Sequence, residues 1–140
     1  MRSLALLAIW AVSAAAAAPG PGVPLQALTE ADVGAGALEN SACYVHDGPA
    51  VLVVATVKNA VVNSDGDLLL LDRLDDDGFP SGGARYGSNT LKVVIAPAPG
   101  PVDDVAASGR TDQSAQISVR KRGSTKSITA RWSCNPRRGA

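Results

Sequence analysis

Residues 114–134, SAQISVRKRGSTKSITARWSC, constrain the fold more than any other stretch of this 140-residue chain. Apolar and polar residues alternate through both halves, and side chains on an extended strand point to opposite faces in turn. Gly123 and Ser124 stand between the halves, and a two-residue connection that begins with glycine suits a type II′ hairpin turn. That turn sets Val119 opposite Ile128, Ile117 opposite Ala130 and Ala115 opposite Trp132, so every apolar residue meets an apolar one on a single face. Cys134 shares this inward face with Trp132. Gln116, Ser118, Arg120, Ser127, Thr129 and Arg131 take the other. A slip of one residue would turn the whole apolar set outward. Lys121 then faces Lys126 beside the turn tip, where water screens the pair.

A second hairpin is written in AVVNSDGDLLLLD. Asp65-Gly66 is a strong type I′ turn signal. It pairs Val62 with Leu69, Val61 with Leu70 and Ala60 with Leu71, which makes both faces apolar and predicts cover on both sides. CYVH, AVLVVATV and TLKVVIA add short β-branched runs between turn residues. The expectation is an all-β fold: a small antiparallel β-barrel or sandwich of six to eight strands. One short helix or turn is expected in TEADVGAGALEN, where Thr29 and Asp32 form an N-cap pattern while Gly34 and Gly36 weaken a helix. PAPGPVDDVAASGRTD is long for a connection in a compact domain, so it is mobile, functional or hides a short element.

The N-terminus carries Arg2, an apolar run of about ten residues and a string of alanines, the layout of a secretory signal peptide. The run is too short to span a bilayer, which takes roughly 20 residues. Cleavage is expected after Ala17, giving residues 1–17 as signal, 18–28 as a flexible Pro/Gly leader, 29–136 as one β-domain and 137–140 as a basic tail. The expected location is periplasmic or secreted, with no transmembrane segment in the mature chain. Export decides how to read the two cysteines, Cys43 and Cys134. In an oxidising compartment they pair, tying the first strand to the last. Two cysteines so far apart lack the close ligand pairs of a zinc site.

A net charge of zero conceals an asymmetry. Acidic residues dominate from residue 18 to 109, and basic ones from 110 to the end, where Asp112 is the single acid. Arg120 and Arg131, on one face of the last hairpin, form a candidate anion-binding face for an anionic envelope component. The competing reading is a solvated hairpin whose charges complement the acidic half. Nucleic acid is not an expected partner: Trp132 points inward by parity, and stacking aromatics are otherwise scarce.

Asp75, Asp76 and Asp77 are hard oxygen ligands of the kind calcium takes, but the alternate spacing and closing Glu of a calcium loop are absent. They read as a solvated tip that discourages edge-to-edge pairing, and no metal or cofactor is expected. His46 and Asp47 are neighbours on a strand and so point apart, a poor catalytic dyad. No nucleophile elbow is present. The chain is read as non-enzymatic, with a small envelope hydrolase as the third possibility.

SGGARYG, at residues 81–87, resembles the SGARY loop of the C-type lysozyme inhibitor family, which are small exported β-barrels with a disulfide. DGDLLLLDRL ahead of the loop, the early cysteine and the signal peptide share that layout. Gly82 is an extra residue in the loop, and TLKVV follows where the family has a tryptophan and a Lys-Gly pair. The resemblance implies a binding loop at 75–87 that inserts into the lysozyme cleft, with Ser81, Arg85 and Tyr86 in it and Lys92 in support. The layout also resembles the uncharacterised small exported β-proteins of Gram-negative bacteria that end in a Trp-x-Cys strand. The two functional expectations are therefore an exported envelope domain with a binding or structural role and a c-type lysozyme inhibitor.

Overall fold

The computed structural model describes residues 22–32, 43–76, 78, 80–98, 103–105 and 110–135. The expected signal segment and the basic tail lie outside them. Nine strands are described: β1 (Cys43–Asp47), β2 (Ala50–Ala55), β3 (Asn59–Ser64), β4 (Asp67–Arg73), β5 (Ala84–Gly87), β6 (Leu91–Pro97), β7 (Asp103–Val105), β8 (Arg110–Lys121) and β9 (Ser124–Cys134). β1 to β6 pair in chain order, β6 pairs with β8, β8 with β9, and β9 returns to β1. All these pairings are antiparallel. Eight strands therefore close into a small barrel, which removes the sheet edges that an open sandwich would keep. β7 is appended to the outer half of β8, at Arg110 to Asp112. It is the short element hidden in the long connection.

The inward rows fill the barrel. Val45, Ala60, Val62, Leu71, Tyr86, Leu91, Val93, Ile95, Ile117, Val119 and Trp132 are buried in one cluster. Alternation puts them there: along β6, Leu91, Val93 and Ile95 are buried while Lys92, Val94 and Ala96 are exposed. β2 breaks the alternation with a bulge opposite Val45 and His46, so that Leu52 and Val53 both face the core.

Cys43 and Cys134 stand directly opposite each other on β1 and β9 and are joined in a disulfide. The staple closes the barrel where the first strand meets the last. The β3–β4 hairpin has the expected register, with Val62 opposite Leu69 and Ala60 opposite Leu71. Asp65 and Gly66 have φ of 55° and 89°, as a type I′ turn requires.

The structure corrects four expectations. First, the turn of the last hairpin is Arg122-Gly123, with φ of 53° and 78°, again type I′. Val119 therefore faces Lys126, Ile117 faces Ile128, and Ala115 faces Ala130. The register differs by two residues, so inward parity survives. The observed register also separates Lys121 from Lys126, setting Lys121 opposite Ser124.

Second, residues 22–28 of the expected flexible leader belong to the packed domain. Val23, Leu25 and Leu28 are buried. β2 and β3 pair only at Val54–Val61 and Ala55–Ala60. The leader joins them beyond that point: the Gln26 amide donates to the Asn63 carbonyl at 2.9 Å and the Leu28 amide to the Val51 carbonyl at 2.8 Å. Third, Ala84–Gly87 is strand β5, not loop. Its four residues are too few to show a period. Fourth, the second hairpin is covered on one outer strand only. Leu28 and Val54 pack on Val61, whereas Leu68 and Leu70 on β4 are 50 % and 62 % exposed.

At the start of the domain, Thr29 and Asp32 cap a helical turn reciprocally. The Asp32 amide donates to Thr29 Oγ1 at 3.1 Å and the Thr29 amide to Asp32 Oδ2 at 3.0 Å. Gly34 and Gly36 lie outside the described residues.

Candidate functional site

Antiparallel order sends the connections to two ends of the barrel. One end carries the turns at 48–49, 65–66, 88–90 and 122–123, and forms a rim. The other carries the disulfide and residues 74–83.

The 74–83 segment is organised by a residue that sequence reading passed over. Arg73 ends β4 with a nearly buried side chain. Its Nε pairs with Asp75, and Nη1 donates to the carbonyls of Val57 and Gly78, each at 2.9 Å. Asp76 lies 3.8 Å from Nη2. The guanidinium also sits 5.6 Å from the Tyr86 ring centre. Burial opposes ionisation of Asp75, and the Arg73 bond and the Arg85 backbone overcome it, so the carboxyl sits below its ordinary range. These two aspartates thus serve an internal cation; Asp77 lies outside the described residues. Among the described residues, no three acids, histidines or cysteines group as a metal site would need.

The residues singled out in this segment separate. Ser81 lies in a short 3-10 turn, Pro80–Gly82, that covers the barrel end. Its carbonyl accepts from Trp132 Nε1 at 3.1 Å and from Gln113 Nε2 at 3.3 Å. Arg85 is exposed on β5. Tyr86 is fully buried, donates its hydroxyl to the Thr56 carbonyl at 2.8 Å, and has its pKa pushed up by burial. It is a core residue, out of reach of a partner. Lys92 is at the other end of the barrel wall, opposite Gly87.

The proposed basic face divides as well. Arg131 pairs with Asp112 at 3.0 Å. Arg120 lies opposite Thr125 and Arg131 opposite Ser114, so six strand positions separate them, or about 20 Å at the usual rise. Arg120 instead faces Lys92 directly across β6 and β8.

With Arg122 these two make the strongest candidate site. A concavity of about 270 Å³ at the rim is lined by Lys92, Arg120 and Arg122, with Ser88, Asn89, Thr90, Leu91 and Gly123. Like charges that face each other across strands repel. None of the three cationic side chains makes a salt bridge or hydrogen bond with a described residue. The neighbouring carboxylate, Asp65, is already paired with Lys121, which also donates to Ser64 Oγ at 2.9 Å. Lys121 and Arg122 together hold the Asp65 carboxyl below its usual range. Lys121 thus bridges to the acidic hairpin, as charge complementation predicts; Arg122 acts on Asp65 without a salt bridge, and Lys92 and Arg120 have no salt bridge to a described residue. Arg122 keeps a left-handed backbone that asparagine or glycine adopts at lower cost. Sequence reading placed Arg122 at the basic end without singling it out; the wrong turn hid its position.

His46 does not meet Asp47. Its Nε2 is 2.9 Å from Ser133 Oγ on the next strand. No described carboxylate bonds the ring.

No protein-family profile, curated protein or solved structure compared with this chain matches it.

Proposed function

We propose that the chain is an exported, non-enzymatic binding domain of the cell envelope, and that it holds an anionic component at the rim formed by Lys92, Arg120 and Arg122. One observation carries this reading: Lys92, Arg120 and Arg122 line one concavity, and none of them forms a salt bridge with a described residue. Bringing them together has an electrostatic cost that an anion in the cleft would reverse. The apolar N-terminal run and the disulfide-closed barrel support the exported setting.

The test is retention of the mature domain on a phosphocellulose column, read as the salt concentration at elution. Arg120→Glu with Arg122→Glu elutes at much lower salt, while Arg131→Glu, already paired with Asp112, shifts elution little. Unchanged elution of the double variant removes the rim as the site.

Inhibition of c-type lysozyme through residues 75–87 is a second reading. What favours it is the Arg73 clasp, which ties Asp75 and Gly78 to the end of β4 before any partner arrives. Titration of the domain into lysozyme decides it. No loss of lytic activity at micromolar domain ends this reading. If activity falls, Ser81→Ala and Arg85→Ala restore it, and failure to do so excludes this segment.

A further inference from the structure

The large hydrophobic side chains exposed among the described residues are Leu68, Leu70, Leu74 and Val94. Leu70, Leu74 and Val94 share one outer wall, while Leu68, on β4 six positions before Leu74, lies about 20 Å from it at the usual strand rise. Leu68 and Leu70 stand on β4, Leu74 follows it, and Val94 stands on β6 two strands away. Scattered leucines on a surface need no explanation, but a one-sided group does. The same wall carries cations, with exposed Asp72 of β4 standing between Leu70 and Leu74. Arg85 is the cross-strand neighbour of Val94, Lys92 that of Gly87, and Arg120 that of Lys92.

Leu74, Arg85, Lys92 and Val94 line a hollow of about 290 Å³ on this wall. Lys92 therefore belongs both to the hollow and to the rim concavity. Gly87 lies between them. A Cβ at this position would stand 2.8 Å from Leu74 Cδ1 and 3.1 Å from Lys92 Cγ, so glycine lets the leucine and the lysine stem lie flat side by side. Asp72 is on the same row, opposite Gly87, with Lys92 on the far side of that glycine.

We infer that this wall is a docking surface for an anionic lipid bilayer. Arg120, Arg122 and Lys92 meet lipid phosphates while Leu70, Leu74 and Val94 enter the headgroup boundary. The inference rests on the anion-binding reading of the rim and adds an apolar contact to it. Cations beside exposed apolar side chains match the two halves of an anionic lipid, and neither half alone holds a protein stably at a membrane. A soluble polyanion would satisfy the rim and leave the leucines in water.

Co-sedimentation with vesicles tests this. One set contains phosphatidylglycerol and phosphatidylcholine in a one-to-three ratio; the other is pure phosphatidylcholine. Three cations near the surface give about a hundredfold preference for the anionic set. Leu70→Ser with Leu74→Ser, both exposed in the folded protein, lowers partition to anionic vesicles about tenfold and leaves phosphocellulose retention unchanged. Circular dichroism confirms that the variant is folded. Equal partition of wild type and the leucine variant overturns the lipid contact while the anion site stands. Loss of phosphocellulose retention in that variant also overturns it, because the leucines would then be acting through the rim. Wild type that ignores phosphatidylglycerol refutes the lipid surface outright, and its column behaviour shows whether the rim reading fails with it.

Discussion

Arg73 shows how one side chain decides the fate of a charge cluster. Three adjacent aspartates suggest a cation site, and the cation present is a guanidinium from the preceding strand. Removing it leaves the Val57 and Gly78 carbonyls without their donor and Asp75 without its partner. Arg73→Ala is therefore expected to cost about 1–3 kcal/mol in urea unfolding, because two carbonyls and Asp75 lose their charged donor. The pH dependence has a definite sign. The folded-state pKa of Asp75 is lowered, so its contribution is complete above the unfolded value of about 4 and disappears as pH falls through the folded one. Asp75→Asn should flatten the acid limb of stability against pH below about 4. An acid limb identical to wild type would show that the pair contributes nothing. Tyr86 reverses the lesson. Inside a surface-loop motif it looked available, yet the barrel takes its ring as core.

The last hairpin is the element in which function and stability oppose each other. Its turn places Arg122 in the left-handed region ahead of Gly123, where asparagine is the favoured residue of a type I′ turn. Arg122→Asn is expected to stabilise the domain by about 0.5–1 kcal/mol, read as a higher melting temperature. The same variant loses one rim cation and should elute earlier from phosphocellulose. A variant both less stable and unchanged in retention would contradict the assigned turn and the assigned site together. Parity was legible in this hairpin because a shift of two residues preserves which face is apolar. Register was not. Gly-Ser and Arg-Gly are both acceptable tips locally, and the pairings of β8 with β6 and of β9 with β1 choose between them. β5 was invisible for a related reason: a four-residue strand carries too short a pattern, and its neighbours in the barrel define it.

At the scale of the whole molecule, two devices close the barrel. The disulfide spans 91 positions, and a closed loop of that length is worth about 4–5 kcal/mol in the chain-entropy model. Reduction, or Cys43→Ser with Cys134→Ser, should lower the unfolding midpoint accordingly; an unchanged midpoint on adding reductant would mean the staple does not stabilise the fold. The leader is the second device. Val23, Leu25 and Leu28 are buried, and full burial of each such side chain is worth roughly 1.5–3 kcal/mol. A domain starting at residue 29 should be markedly less stable than one starting at residue 18, and equal melting temperatures would show that the leader packs without consequence.

The sequence by itself determined the all-antiparallel class, the inward row of the last hairpin, the type I′ turn at Asp65-Gly66, the Thr29 cap and the pairing of the two cysteines. Each rests on local chemistry: a period of two, a residue suited to positive φ, a side chain reaching its neighbour's amide, an even cysteine count in a chain read as exported. Closure into a barrel, the seat of residues 22–28, the clasp of Arg73 and the meeting of Lys92 with Arg120 and Arg122 were decided by tertiary structure. They depend on which strands become neighbours when β6 pairs with β8 and β9 returns to β1, and no pattern within a single strand encodes that adjacency.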